Sequence, residues 1–336
     1  SAEELQTKVD KVPRVKLVNL PTPLQKMKRL TDSLNGPQLW VKRDDCTGLA
    51  FGGNKERKAE FVMADALSKK ADVVITTGPI QSNHARATAA AARKLGLRVM
   101  LVLTGEKPRS YDGNLLLDHL FGAEIRILHG KPTKSDRARS MEEIAKDLRK
   151  KGHVPYVIPA GASNPIGAIA YVNAMLELYA QAQNCNFKID HVVHAAGSGG
   201  TQAGLVLANK ALGSKINVLG ICVEPNIQHQ LVEKTIEIAE GAAKRLDLKV
   251  AVKPDDVVLN EDYVGEAYEV PTLEALNAIK LVAQTEGILL DPIYTGRAMA
   301  GLIGLIKQGR FKKDDNIVFI HTGGTPALFP YRKEFA

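Results

Sequence analysis

The sequence contains little cysteine, few aromatic residues and no long apolar run. Cys46, Cys185 and Cys222 are odd in number, far apart and without histidines at the spacing of a zinc site. This pattern disfavours a disulfide framework and gives no reason to expect a metal. No apolar stretch approaches the about 20 residues that cross a bilayer, so we expect no membrane partner. The charged N-terminus lacks the apolar segment of a signal peptide, and we expect a cytoplasmic protein, with a removed targeting segment left open.

The charge is positive overall but evenly mixed along the chain. Lys and Arg number 45 and Asp and Glu 37, which gives a net charge of +8. Acids interrupt the basic runs, as in residues 146–151, and aromatic residues make up only 5% of the chain. A nucleic-acid partner is therefore not expected, because such surfaces combine clustered basic and aromatic side chains. The positive excess favours a small anionic substrate instead.

Apolar strand-like segments alternate with helical ones almost throughout. This alternation predicts an α/β fold of parallel sheets covered by helices. At 336 residues the chain exceeds the size of most single cores, so we expect two lobes. Residues 253–271 form the least regular region and are expected to be a long connection. The strand-like segments are residues 38–43, 72–77, 98–103, 124–128, 155–159, 191–196, 217–223 and 316–321.

The most informative segment is Phe-Gly-Gly-Asn-Lys at residues 51–55. Lys55 follows two glycines and an asparagine at the start of a predicted helix. One interpretation is a solvated lysine on a Lys-rich helix. The other is a lysine that forms a Schiff base with an aldehyde cofactor, since glycines allow the backbone to approach a flat ligand. A position at a helix N-terminus lowers the pKa of an amine, which favours this chemistry.

A second glycine-rich segment follows the predicted strand 191–196. Glycines and hydroxyl residues in such a loop are typical of a phosphate site at a helix N-terminus. The dinucleotide fingerprint fits incompletely, because its third glycine position is Gln202 and Gly204 comes too late. The loop therefore favours the monophosphate of pyridoxal phosphate, with a nicotinamide-dependent oxidoreductase as the alternative. The loop consists of Gly197, Ser198, Gly199, Gly200 and Thr201.

Other candidate residues follow predicted strands. Ser82 and Asn83 either cap the helix of residues 85–95 or contact the ligand, with Asn83 donating to the ring oxygen of the cofactor. Tyr268 and Tyr294 lie at irregular turns and either pack or guide a proton. Thr295 and Thr322 are candidates for the pyridine nitrogen. His84 is expected to be structural.

These segments, in this order, resemble the family of pyridoxal-phosphate (PLP) dependent enzymes that contains aminocyclopropane-carboxylate deaminase, D-cysteine desulfhydrase and L-cysteate sulfo-lyase. The resemblance implies the type II PLP-enzyme fold, with two open parallel-sheet lobes, the cofactor between them, and a homodimer. It implies a large domain of residues 1–56 and 166–336 and a small inserted domain of residues 57–165. The matching segments are residues 42–45, 52–55, 81–84, 156–159, 197–201, 290–296 and 321–324.

The resemblance also implies roles for single residues. Lys55 would be the Schiff-base lysine, and Ser82, Tyr268 and Tyr294 would line the reacting carbon. Asn54 and Asn83 would contact the cofactor, and the 197–201 loop would hold its phosphate.

Two positions bear on the substrate. The deaminases resemble one another in a glutamate after the tyrosine that matches Tyr294, whereas this chain has Thr295. The resemblance therefore implies β-elimination of a sulfur leaving group, with D-cysteine as the expected substrate. L-cysteate and then aminocyclopropane-carboxylate are the alternatives, and a non-catalytic PLP or amino-acid binding protein is another. Glu56 stands where similar sequences have an apolar or small residue.

Overall fold

The computed structural model describes residues 1–106, 108 and 110–335. Strands and helices alternate along most of this part of the chain. The strands are β1 (Leu24–Lys26), β2 (Gln38–Lys42), β3 (Val73–Pro79), β4 (Arg98–Thr104), β5 (Glu124–Leu128), β6 (Pro155–Val157), β7 (His191–Ala196), β8 (Asn217–Cys222), β9 (Val258–Asn260) and β10 (Asn316–Ile320). The α-helices are α1 (Ala2–Asp10), α2 (Lys28–Leu34), α3 (Asn54–Ser68), α4 (Asn83–Lys94), α5 (Gly113–Leu120), α6 (Lys134–Lys150), α7 (Pro165–Asn184), α8 (Gly200–Ala211), α9 (Gln228–Arg245), α10 (Leu273–Glu286) and α11 (Thr295–Lys307).

The strands form two sheets. The larger has the order β1-β2-β10-β7-β8-β9 and the smaller the order β5-β4-β3-β6. All neighbours pair in parallel except β1 and β2, which are antiparallel. The prediction of parallel sheets is confirmed, and each predicted strand is present within two residues at either end. Strands β1 and β9 were not predicted; both have three residues, as does β6, which was predicted as part of the longer segment 155–159.

The two sheets use different parts of the sequence. The strands of the smaller sheet lie between residues 73 and 157, and the strands of the larger sheet lie outside that range. This agrees with an inserted segment, while the boundaries at residues 57 and 165 stay a prediction. Within the described ranges, no helix is both long and apolar enough to cross a membrane.

A buried ionic network joins α3 to the larger sheet. The guanidinium of Arg57 lies 2.8 Å from Asp44 Oδ1 and 2.9 Å from Glu177 Oε1. Lys42, at the end of β2, is paired with the same Glu177 and donates to the main-chain oxygen of Thr22 at 2.7 Å. These charges are compensated by close partners, so the network fixes the first turns of α3 against β2 and α7.

Helices α7 and α8 approach each other closely at Gly204. A Cβ atom at this position would lie 2.3 Å from the main-chain oxygen of Ala168 and 2.6 Å from the Cβ of Tyr171, both on α7. Gly204, which does not fit the spacing of a dinucleotide fingerprint, therefore has a packing role.

We expect Gly204→Ala to lower the free energy of unfolding by about 1–3 kcal/mol, because the backbone of α7 must move to admit a methyl group. Gly304→Ala on α11 is the matched control. Its new Cβ would meet the ring of the partly exposed Tyr263, which can rotate away. Urea unfolding of both variants measures the difference, and equal losses of stability would contradict the assignment.

Candidate active site

The backbone before Lys55 has an unusual conformation that only glycine permits at two positions. Ala50, Gly52 and Gly53 have φ angles of 46°, 70° and 148°. A Cβ on Gly52 would lie 2.1 Å from the main-chain oxygen of Asp45. Gly53 pairs with Gly323 in an isolated β-bridge. The twin glycines therefore bring the start of α3 into contact with the segment after β10, a packing role that the sequence argument did not foresee.

Two buried charged side chains, Arg86 and Glu56, hold this segment in place. Arg86 on α4 donates to the main-chain oxygens of Ala50 and Gly52. Its guanidinium also lies 3.3 Å from Glu56 Oε1, and both side chains are almost fully buried. The unusual acid at position 56 therefore neutralises the arginine that holds the Lys55 loop.

The amine of Lys55 lies on the first turn of α3 in a desolvated environment. Burial lowers the pKa of Lys55 to about 8, although the neighbouring Glu56 carboxylate raises it. The neutral amine that nucleophilic or base chemistry requires is thus well populated near pH 8.

Lys58 is a further functional candidate that the sequence argument missed. It lies one helical turn after Lys55 and is fully buried. Its Nζ donates to the main-chain oxygen of Gly161 at 3.3 Å, and a Cβ on Gly200 would lie 2.9 Å from this Nζ. Burial, followed by repulsion from Lys55, lowers the pKa of Lys58 well below its usual range. A phosphate beside Gly200 would supply the missing counter-charge, so the residues fit that group.

The 197–201 loop connects β7 to α8 and forms a cradle. Gly199 precedes the helix with a φ of 84°. Ser198 Oγ lies 2.6 Å from Ser163 Oγ, which accepts from the Gly200 amide at 3.3 Å. Asn54 donates to Thr201 Oγ1 at 3.0 Å. The loop therefore lies against the start of α3 and presents a helix N-terminus, which suits an anion.

Ser82 and Asn83 begin helix α4. Ser82 Oγ accepts from the Ala85 amide at 3.1 Å, so the predicted cap is present. Asn114 on α5 donates to Asn83 Oδ1 at 2.8 Å and to the Gln81 main-chain oxygen at 3.0 Å. Asn114 therefore fixes the orientation of the Asn83 side chain, a contact that sequence spacing did not reveal, and the contact of Asn83 with the cofactor stays a prediction.

Tyr268 and Tyr294 form a hydrogen-bonded pair. Their hydroxyls contact each other, and their rings meet edge to face with centroids 5.8 Å apart. Burial raises the pKa of Tyr294 to about 12 and that of Tyr268 well above its usual value. Tyr294 also lies beside the cradle, since a Cβ on Gly197 would be 3.7 Å from its ring. Both phenols therefore keep their protons at neutral pH.

The two threonines predicted near the pyridine nitrogen differ in availability. Thr295 donates to Asp291 Oδ1 at 2.7 Å and accepts from the Asp291 amide at 2.8 Å. Its only hydroxyl proton is thereby used. Thr322 contacts α3 through its main-chain oxygen, which accepts from the Asn54 amide at 3.1 Å. The hydroxyl of Thr322 is therefore more available for the pyridine nitrogen than that of Thr295. Both roles stay predictions.

A narrow cleft lies beside these groups. Its lining includes Gln81, Asn83, Tyr268, Glu269, Tyr294 and Tyr331. The structure thus brings Asn83 together with the tyrosine pair, and Lys55 together with the cradle. Ser82 caps α4, and its contact with a substrate stays a prediction. In the ranges that the structure describes, no cluster of His, Cys, Asp and Glu is arranged to hold a metal.

His84 has the structural role expected of it. It is buried, and its Nε2 lies 2.7 Å from Thr76 Oγ1. Burial, with the nearby amines of Lys55 and Lys58, lowers the pKa of His84 well below its usual value. A neutral, hydrogen-bonded imidazole in this position supports the packing of α4 on β3.

Comparisons with known proteins agree with this geometry. The family model described as "Pyridoxal-phosphate dependent enzyme" matches residues 15–323. The D-cysteine desulfhydrase of Klebsiella pneumoniae (strain 342) is 44% identical over 324 residues, which cover 95% of this chain and 96% of the relative. A crystal structure of an ACC deaminase homologue is 40% identical with a TM-score of 0.90, covering 99% of this chain and 98% of its own. A PLP-dependent aspartate racemase, 17% identical with a TM-score of 0.68 over 96% of this chain and 95% of its own, shares the fold.

The fold and the site together define a PLP-dependent enzyme of fold type II, with pyridoxal phosphate as its cofactor. The nicotinamide alternative is therefore wrong. Within that class, the chain belongs to the family that contains ACC deaminase and D-cysteine desulfhydrase.

We expect reductive methylation of Lys55 in the apoprotein to rise with pH, with a midpoint near 8, because only the neutral amine reacts with formaldehyde. Peptide mass mapping across pH 6–11 (roughly the range in which lysines titrate) measures this. The exposed Lys70 serves as the internal reference. A Lys55 profile that coincides with that of Lys70 would count against a desolvated amine.

Proposed function

We propose that this protein is a PLP-dependent carbon–sulfur lyase that converts D-cysteine and water to pyruvate, hydrogen sulfide and ammonia. The observation that carries the proposal is the protonated pair Tyr268–Tyr294 beside the cradle, because a protonated phenol can donate a hydrogen bond to a sulfur that departs as an anion. The D-cysteine desulfhydrase that is 44% identical over 95% of this chain supports it.

The cofactor would be held by residues from three segments. Lys55 would bind its aldehyde carbon, and Asn83 would donate to its ring oxygen. Asn54 and the cradle residues Gly197, Ser198, Gly199, Gly200 and Thr201 would hold the phosphate end, with Lys58 as the buried counter-charge. Thr322, and less readily Thr295, would face the ring nitrogen. When bound, pyridoxal phosphate supplies an electron sink for the bond that breaks at the α-carbon of the substrate.

Lys55 is the preferred base for the α-proton. Its pKa of about 8 makes the neutral amine available near physiological pH. Ser82 is the alternative base on another face of the substrate, although its hydroxyl also caps α4. The positive end of the α4 dipole would suit the substrate carboxylate.

The tyrosine pair is assigned to the leaving group. Tyr294 would donate a hydrogen bond to the sulfur, which departs as hydrosulfide, and Tyr268 would hold the Tyr294 hydroxyl in place by a hydrogen bond. The enamine that leaves the site hydrolyses in water, which accounts for the keto acid and ammonia. Hydrogen-bonded phenols are suited to this, because the partner compensates charge as it develops.

The alternative substrates remain within this proposal. L-cysteate would give sulfite in place of sulfide. Aminocyclopropane-carboxylate is less favoured, because Thr295 is tied to Asp291 and provides no carboxylate near the tyrosines. A carrier without turnover would bind amino acids and form no product. The homodimer, the cytoplasmic location and the two-domain division are also proposed, by resemblance to the family.

We expect purified holoenzyme to release sulfide and pyruvate from D-cysteine, and Lys55→Ala to abolish both, since the base and the covalent attachment are lost together. The visible absorbance of bound cofactor should shift in the same variant. Pyruvate and sulfide assays with D-cysteine, L-cysteine, L-cysteate and aminocyclopropane-carboxylate measure the outcome. Lys69→Ala, which changes an exposed lysine at the end of the same helix, is the control.

A Lys55→Ala protein that keeps its colour and turnover would contradict the assignment of the lysine. Ketobutyrate from aminocyclopropane-carboxylate would contradict the argument from Thr295. A spectral shift without keto acid from any of these amino acids would support the carrier.

We expect Tyr294→Phe to lower kcat for D-cysteine by about 100-fold, the scale of a lost hydrogen-bond donor to a developing anion, with a smaller change in KM. Tyr179→Phe on α7, away from the cleft, is the matched control. Steady-state sulfide release measures both. A loss that falls mainly on KM would point to packing instead of stabilisation of the leaving group.

A further inference from the structure

One acidic side chain at the mouth of the cleft has no part in the proposed chemistry. Glu269 follows Tyr268 directly, is exposed, and lines the cleft together with Gln81 and Asn83. Its main-chain oxygen accepts from the Tyr331 hydroxyl at 3.0 Å, and its carboxylate forms no salt bridge among the described residues. The segment that carries it is held in place by Arg297 on α11, which donates to the main-chain oxygens of Ala267 and Val270.

The charge of Glu269 acts on the cleft. Burial first, and the Glu269 carboxylate second, raise the pKa of Tyr331 to about 12. The same carboxylate adds to the raised pKa values of Tyr268 and Tyr294. Its own pKa is raised by partial burial. Three phenols that line the cleft are therefore within the field of Glu269, together with that of Asp291.

Asp291, the other acid of the lining, accepts hydrogen bonds on both of its carboxylate oxygens. Asp291 Oδ1 accepts from the amide and hydroxyl of Thr295, at 2.9 and 2.7 Å. Asp291 Oδ2 accepts from the amides of Ile293 and Tyr294, at 3.0 and 2.8 Å. Asp291 is thus occupied with the turn before α11, and Glu269 is the carboxylate left to face a ligand.

A cysteine and a cysteate differ in the group that would meet this carboxylate. Both carry the same amine and α-carboxylate. The thiol is largely neutral near pH 7, because its ordinary pKa is about 8.5, whereas a sulfonate is always anionic. We infer that Glu269 is a specificity-determining residue that excludes amino acids with an anionic β-substituent from the cleft. This inference rests on the proposed function, and it selects the thiol substrate over the sulfonate.

Inhibition of the holoenzyme tests the inference. The inhibition constants of D- and L-cysteate against D-cysteine turnover are compared with those of D- and L-serine, whose β-hydroxyl is neutral. We expect E269Q to lower the cysteate constant relative to the serine constant by about tenfold, as removal of a nearby like charge would. E266Q removes the same charge from an exposed residue of the same segment outside the cleft, and should leave the ratio unchanged.

An unchanged ratio in E269Q, or an equal change in E266Q, would overturn the inference. Failure of the proposed function is separable, because wild-type protein would then form no sulfide from D-cysteine. In that case the binding of cysteate and serine, followed by the absorbance of the bound cofactor, gives the same comparison. Tighter cysteate binding to E269Q would support the inference, and equal binding to both proteins would overturn it.

Discussion

The ion pairs of Arg57 with Asp44 and Glu177 are the constraint on which the active-site geometry depends. They fix the first turns of α3 between strand β2 and helix α7. Because Lys55 lies two residues earlier on that helix, its amine is positioned by charges that never meet the substrate. Removing one partner would leave a buried charge uncompensated, which is why such networks are sensitive to substitution. The segment of residues 42–45 contributes through this network and not through chemistry.

The same helix start combines backbone contact with electrostatics. The glycines before Lys55 allow close contact with Gly323, and Arg86 holds the loop through its main-chain oxygens. Glu56 balances Arg86 and raises the pKa of Lys55, which burial otherwise lowers. The pKa of the reactive amine therefore results from two opposing effects, desolvation and a neighbouring acid. The second amine, Lys58, lies beside Gly200 of the cradle.

Much of the fold and part of the site could be predicted from the sequence. The long apolar strands and the capped helix at Ser82 were correct, because local periodicity and capping chemistry act over a few residues. Strands β1 and β9 were missed because these short segments become strands by pairing with β2 and β8, and that pairing is tertiary. Lys58, Arg86 and Asn114 were missed for a related reason. Only i+3 spacing from Lys55 could have indicated Lys58, and nothing local indicates the other two.

The sequence by itself determined the alternation of strands and helices, the lysine after two glycines, and the glycine-rich loop before α8. The tertiary structure alone decided which of these groups meet and how they ionise. Burial sets the pKa values of Lys55 and Tyr294, and Asp291 takes the hydroxyl proton of Thr295. The physical reason is that desolvation and hydrogen-bond geometry depend on neighbours that lie far apart in the chain. Residue type gives the available chemistry, and packing selects the part that is used.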